Sequence, residues 1–345
     1  MTETDRLKGS TQTAPEAATP TLVARVLVEP QQGASYGQVL NFAQAAEELG
    51  FGGFFCSDHY QRIPEVCTGD GMPGPLDAWT TLAGLARDTK RLRLGALMSP
   101  VTFRHPGALA IQVAQVDAMS NGRIEVGLGT GWYESEHRAR GIPFGSQAER
   151  NAQHEEQIAV LTGIWRAENT FTFHGRHYRL QDCPTLPKPV QQPHPPLILG
   201  GKGARRSPRI AGRYADEYNL PSLTPAECRA RYETMARECV TAYREPTHVV
   251  RSCTLTACVG RTAADVEKRA GVLGRSIAQL TTRGLTGTPQ QAADQLAAYA
   301  VAGVQRIYVK VLDLDDLDHL ELLAELARTW ESEEALGSST SSTQE

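Results

Sequence analysis

The stretch RLRLGALMSPVTFRHPGALAIQVAQVDAMSNGRIEVGLGTGW, residues 91–132, holds a complete strand–helix–strand unit. Leu92–Met98 is a short, continuous apolar run of the kind buried on both faces of a parallel sheet. Pro106 stands where a helix opens and the apolar pattern continues to Met119. Arg123–Leu128 is a second buried-type strand, running into Gly127, Gly129 and Gly131. Two parallel strands need such a crossover, so the question becomes how often the unit repeats.

It repeats outward in both directions. Upstream lie the runs Leu22–Val28 and Gly53–Ser57, separated by a helix that opens with the capping box Ser35-x-x-Gln38 and stops at Gly50. Asp77 is placed to cap a helix through Asp88. Downstream, a helix from about Arg150 to Trp165 precedes the runs Leu197–Gly200, Ala215–Leu220, Val249–Val259 and Val304–Val311. Ser207-Pro208, Thr224-Pro225, Thr262-x-x-Asp265 and Thr288-Pro289 start the intervening helices, and a last helix covers about Asp316–Trp330. Eight alternations predict a (β/α)8 TIM barrel, with an open doubly wound sheet as the rival. Residues 167–194 break the pattern with a hairpin and a Pro-rich run, an excursion after the fourth strand that occupies about 130–195. The expected organisation is a loose tail over 1–20, one barrel domain over 21–332 and a second loose tail over 333–345.

Composition narrows the function. In 345 residues, 35 Lys and Arg stand against 39 Asp and Glu, a net charge of −4 that gives no bulk attraction for nucleic acid. No apolar run approaches the ~18 residues of a membrane helix. The seven cysteines are scattered without CxxC spacing and read as reduced thiols of a cytoplasmic protein. His174-x-x-His177 lacks a fitting acidic or thiol partner, so no metal site is expected.

Barrel chemistry sits at the carboxyl ends of the strands. That rule selects Glu29, Ser57-Asp58-His59, Leu97-Met98-Ser99, Gly129-Thr130-Gly131-Trp132, Gly200-Gly201-Lys202-Gly203 and Asn219. In Gly200–Arg206, glycines after a strand let backbone N–H groups converge on an anion, the helix that follows adds its dipole, and Lys202, Arg205 and Arg206 add charge. This predicts a phosphate site; the bland alternative is a tight turn carrying solvated basic residues. In GLGTGW, Gly127–Trp132, the full GxGxxG fingerprint is absent, and the glycines suit close approach to a flat ligand with Trp132 as a wall or a packing aromatic. Asp58-His59 is a titratable pair suited to proton transfer or to hydrogen bonding a heterocycle, or else structural. Glu29 is functional if it faces the mouth.

With those motifs in place, the chain resembles the luciferase-like superfamily. The resemblance is carried by residues 91–110, by DAMSNGRIEVGLGTGWYESEHRARGIPF and by LPKPVQQPHPPLILGGKGARRSPRIAGRYADEYN, and spans about residues 22–330. Within it, the chain is similar to deazaflavin (coenzyme F420)-dependent oxidoreductases. The resemblance implies a ring lying across the barrel mouth, backed by a bulge with a non-prolyl cis peptide at Leu97-Met98 and by main-chain groups of Leu97–Ser99 and Gly129–Gly131. It places Asp58 and His59 at the deazaflavin head. The phosphate falls to Gly200–Gly203, and the anionic tail to Lys202 or Arg205. Where sugar-phosphate-oxidising relatives carry an acidic proton donor after GTG, this chain has Trp132, with Glu134 and Glu136 displaced; that argues against sugar-phosphate dehydrogenation.

The expected activity is hydride exchange between deazaflavin C5 and a small organic substrate, with reduction of C=C, C=N or C=O favoured. His59, aided by Asp58 or Glu29, would carry the proton, with Tyr60 a further candidate. Trp132, Tyr60 and Glu134 would wall the substrate. The alternatives are an FMN-dependent monooxygenase using reduced FMN and O2, and a cofactor-binding protein without turnover. The resemblance also implies a homodimer.

Overall fold

The computed structural model describes residues 24–67 and 70–339. The chain runs β1 (Ala24–Val28), α1 (Tyr36–Glu48), β2 (Gly53–Cys56), α2 (Ala78–Asp88), β3 (Arg93–Pro100), α3 (Pro106–Met119) and β4 (Ile124–Gly129). The excursion follows as α4 (Glu134–Arg140), α5 (Gln147–Arg166) and the hairpin β5 (Thr170–His174) and β6 (Arg179–Pro184). The repeat resumes with β7 (Leu197–Gly200), α6 (Arg206–Tyr214), β8 (Glu217–Pro221), α7 (Pro225–Thr241), β9 (Val250–Val259), α8 (Ala263–Leu273) and α9 (Ile277–Arg283). It ends with β10 (Gly284–Gly287), α10 (Pro289–Val301), β11 (Arg306–Val311) and α11 (Leu317–Ser339).

Eight strands close a parallel barrel in the order β11-β1-β2-β3-β4-β7-β8-β9, with β9 pairing both β8 and β11. The open doubly wound alternative is thereby excluded. β10 pairs with the end of β9 beyond the closure, through Gly284↔Thr256 to Gly287↔Val259.

Alternation along each strand sorts side chains into two sets. Outward residues such as Val26, Val28, Phe54, Cys56, Leu94 and Val126 join one large core under the helices. Inward, Leu27, Phe55, Leu97, Ile198 and Tyr308 form a separate apolar plug. Below the plug, at the amino ends of the strands, Glu125 pairs with Arg25 and Arg93, and Glu217 pairs with Arg306. Above it the lining turns polar: Lys310 meets Glu29 at 2.9 Å, and Asn219 bonds Ser252 and Thr254. The barrel is therefore sealed below and polar at its mouth.

Helix starts follow the capping chemistry. Ser35, Thr224 and Thr262 each close a capping box, as do Ser146 and Ser276. Three elements lie outside the sequence expectation: α4, α9 and the short β10. Part of the expected second tail is helical. Residues 333–339 continue α11, while 1–23 and 340–345 lie outside the described residues. All seven cysteines are free thiols. Among the described residues, no helix is long and apolar enough to cross a membrane.

Candidate functional site at the barrel mouth

Because all eight barrel strands are parallel, their carboxyl ends share one face. β3 ends irregularly there. Its pairing with β4 slips between Ala96 and Ser99, and the Leu97–Met98 peptide is cis, at the position the family resemblance implies. Met98 reaches toward β7. A Cβ built on Gly200 would lie 2.6 Å from Met98 Cε and 2.2 Å from the Asn219 carbonyl oxygen, so only glycine fits this join.

Gly201 follows with φ +134°, in the region that side chains disfavour. Ser207 Oγ donates to the Gly201 carbonyl at 3.1 Å and accepts from Tyr218 at 3.2 Å, which ties the loop to the first turn of α6. Unlike the capping-box helices, α6 opens on Arg205 with no side-chain cap. Its first backbone donors are thus left for another acceptor. Lys202 and Arg205 are exposed beside it, whereas Arg206 is committed to Glu155 on α5 at 2.6 Å. An anionic group fits this cradle: a glycine loop with Gly201 in the positive-φ region, an uncapped helix start and two exposed cations.

Across the mouth, β2 delivers Ser57, Asp58, His59 and Tyr60. The Asp58 side chain is wholly buried and receives two bonds from Arg104, at 2.5 and 3.2 Å, and one from Ser99 Oγ at 2.8 Å. Trp79 Nε1 in turn donates to Ser99 at 2.9 Å. Arg104 also reaches Tyr60 Oη at 2.9 Å and Asp77 at 2.5 Å, and Tyr60 donates to Asp77 at 2.7 Å. Burial pushes the Asp58 carboxyl above the ordinary aspartate value, opposed by the Arg104 guanidinium and the Ser99 hydroxyl. Burial likewise pushes the Tyr60 phenol well up. Asp77 also caps α2 through Thr80 N–H at 2.8 Å.

His59 escapes this network. Its Nδ1 lies 2.9 Å from Oε1 of the buried Glu136, whose Oε2 accepts the Tyr60 N–H at 2.8 Å. The ring meets Trp132 edge-on at 5.7 Å between centroids. Trp132 itself is 62% exposed. The Glu29 side chain is 9% exposed, and its desolvation alone would raise the carboxyl; the ion pair with Lys310 prevails and holds it below the usual range, with His59 contributing. Ser57 Oγ donates to Gln31 at 2.6 Å, and Thr130 Oγ1 accepts from Gln147 on α5 at 3.3 Å.

The structure thus groups the sequence candidates into clusters. Asp58 and Ser99 are bonded. His59 stands with Trp132, and Glu29 lies near His59. Met98 closes on Gly200. Glu134 does not join them: it is exposed on the first turn of α4 with no hydrogen-bond partner among the described residues, and Glu136 occupies the buried position. Arg104, Asp77, Glu136 and Lys310 were not singled out from sequence as members of the site. Arg104 and Lys310 carry the one signal that could have found them, a cation near the carboxyl end of a buried strand. Among the described residues, no group of three or more His, Cys, Asp or Glu is placed to hold a metal.

Comparison with known proteins identifies the family and the fold. The profile of the luciferase-like monooxygenase family matches residues 21–281. An FMNH(2)-dependent dimethylsulfone monooxygenase of Pseudomonas putida is 35% identical over 176 residues, 51% of this chain and 46% of its own length. An F420-dependent glucose-6-phosphate dehydrogenase of Microbacterium testaceum is 33% identical over 182 residues, 52% of this chain and 51% of its own. The match therefore spans about half the length of either relative. Among solved structures, an F420-dependent secondary alcohol dehydrogenase in complex with an F420-acetone adduct superposes with a TM-score of 0.76 at 16% identity. That match covers 89% of this chain and 98% of the other, and it speaks to the fold alone.

Proposed function

Because the chain belongs to the luciferase-like monooxygenase family, we propose that it is an F420-dependent oxidoreductase acting on a small organic substrate. One observation carries the reading. The uncapped start of α6 and the glycine cradle before it open onto the same barrel face as His59. The F420-dependent relative supports the choice of cofactor.

When bound, the deazaflavin would supply or accept hydride at C5, with reduction of a C=C, C=N or C=O bond the favoured direction. Gly200–Gly203 and the first N–H groups of α6 would hold phosphate, and Lys202 and Arg205 the anionic tail. The ends of β3 and β4, at Leu97–Ser99 and Gly129–Gly131, would back the ring. Three side chains were candidates for the proton. Tyr60 is tied to Asp77 and Arg104 through one oxygen, and its phenol is shifted up, so it holds its proton. Glu29 is held as an anion by Lys310, so it has no proton to give at neutral pH. His59 remains: its Nε2 has no hydrogen-bond partner among the described residues and can take or give a proton there. Asp58 serves by anchoring Arg104. Trp132 and the excursion would exclude water from the substrate side.

FMN is the competing cofactor, on the strength of the Pseudomonas putida relative. Fluorescence titration of the purified protein with F420 and with FMN separates the two. Micromolar binding of F420 is expected, with cofactor oxidation dependent on an added carbonyl, imine or enone. Binding of FMN alone would overturn the reading.

A further inference from the structure

We propose that Glu136 is a positioning residue that sets the tautomer of His59, keeping the ring proton on Nδ1 and leaving Nε2 as the open acceptor. This rests on the reading of His59 as the proton carrier, but its geometry stands apart from any cofactor. The Glu136 side chain is 1% exposed, and both its oxygens are committed. Oε2 accepts the Tyr60 backbone N–H at 2.8 Å, and Oε1 faces His59 Nδ1 at 2.9 Å. With Glu136 as a carboxylate, Oε1 can only accept, and the proton between it and the ring then belongs to Nδ1. The neutral imidazole then has its lone pair on Nε2. It can receive a proton only there and, once charged, return it from there.

The support for Glu136 is rigid. Its neighbour His137 is fully buried and contacts Thr102 Oγ1 at 2.7 Å through Nε2 and the Tyr133 carbonyl at 2.8 Å through Nδ1. That pins the short α4 to the loop after β3. On the ring side, the edges of Trp132 and Tyr133 restrict rotation of His59, with centroids at 5.7 and 6.4 Å.

Glu136→Gln inverts this arrangement with little change of shape. The Gln oxygen must keep the Tyr60 N–H, so its NH2 group must face Nδ1 and donate to it. The ring proton is thereby moved to Nε2. The test is long-range 1H–15N correlation on the full-length protein labelled with 15N-histidine, without cofactor, in buffer alkaline enough to keep imidazole neutral. The spectrum of His59→Asn identifies the His59 signals. The expected result is the Nδ1–H tautomer in the wild type and the Nε2–H tautomer in Glu136→Gln. An Nε2–H wild type, or a folded Glu136→Gln that keeps Nδ1–H, overturns the proposal. If the variant does not fold, the wild-type spectrum alone decides. Turnover in the loaded enzyme should fall about 10²-fold in Glu136→Gln with cofactor affinity unchanged. An inverted tautomer with full turnover would uphold the positioning role and remove His59 as proton carrier.

Discussion

Replacing Arg104 by Met asks whether charge holds the Asp58 side of the mouth together. The Arg104 side chain is 9% exposed and that of Asp58 is fully buried. Without the guanidinium, Asp58 keeps only the Ser99 hydroxyl as a side-chain donor. An exposed pair would contribute ~0–1 kcal/mol, but breaking a buried one costs about 3–5 kcal/mol, because a charge is left behind without compensation. At an unfolding entropy of ~2.1 cal/mol/K per residue, a chain of 345 residues loses about 4–7 °C of Tm.

The loss has a pH signature. Burial already raises the Asp58 carboxyl, and Arg104 opposes the rise. In the variant the carboxyl moves further up. From the unfolded value of ~3.9 to that raised value, the native state binds more protons than the unfolded chain, so stability falls as pH rises. The deficit should therefore be smallest below about pH 4 and largest at neutral pH. Thermal melts followed by circular dichroism between about pH 4 and 8 measure it. The double variant Asp58→Asn with Arg104→Met should recover much of the loss, since it removes the stranded charge. An Arg104→Met protein melting within about 1 °C of wild type at neutral pH would refute the reasoning. So would single losses that simply add in the double variant.

Two further substitutions probe the rest of the mouth. Gly201→Val forces a β-branched residue to φ +134°, and a local strain of ~1–3 kcal/mol in the cradle should weaken cofactor binding about 10-fold or more; unchanged affinity by fluorescence titration would remove the loop from the phosphate role. Lys310→Met removes the partner that holds the Glu29 carboxyl down against burial. In the wild type that pairing contributes stability above the unfolded value of ~4.3 and loses it as pH falls through the depressed value. The Tm gap between wild type and Lys310→Met should thus widen from pH ~4 to ~7, and a constant gap would show that Glu29 does not ionise against Lys310.

Most of the fold was legible because it repeats one physical pattern. Leu197–Gly200 and Gly53–Cys56 are buried runs bounded by turns, and Ser35, Thr224 and Thr262 carry their capping partners three residues on. The elements that escaped lack such patterns. ESEHRAR of α4 has a single apolar residue, Ala139, and owes its place to His137 buried between Thr102 and the Tyr133 carbonyl. β10 has two glycines in four residues and exists because β9 runs past the barrel closure. EEALGSS, residues 333–339, reads as the start of a polar tail, yet Glu, Ala and Leu favour helix, and α11 continues to Ser339. The site divides the same way. The Gly200 cradle and Asp58-His59 are visible as residues at strand ends. The Arg104–Asp58 and Glu136–His59 pairings join residues 46 and 77 apart, and no local spacing encodes them.

The sheet order gives the proposed function a spatial logic. In the closed barrel β2 and β7 are separated by β3 and β4. A ligand anchored at the α6 cradle after β7, with its reactive end at His59 after β2, would take its shortest route along the rim past the ends of those two strands. At those ends the Met98 side chain spans from Gly129 to Gly200. Gly129 closes β4, and the slipped end of β3 offers main chain at Leu97–Ser99, with the Ser99 hydroxyl turned away to Asp58. On the proposed reading, anchoring and proton transfer would fall on opposite sides of these two strand ends. The excursion, which contributes Trp132 and Glu136, stands over the His59 end, while Glu155 on α5 pairs with Arg206 at the anchor end. Changes in α4 and the loop before it would alter substrate fit and the state of His59 together. Changes in Gly200–Arg206 would alter only what is held. The Glu136→Gln and Gly201→Val variants should therefore have separable effects, the first on turnover and the second on affinity.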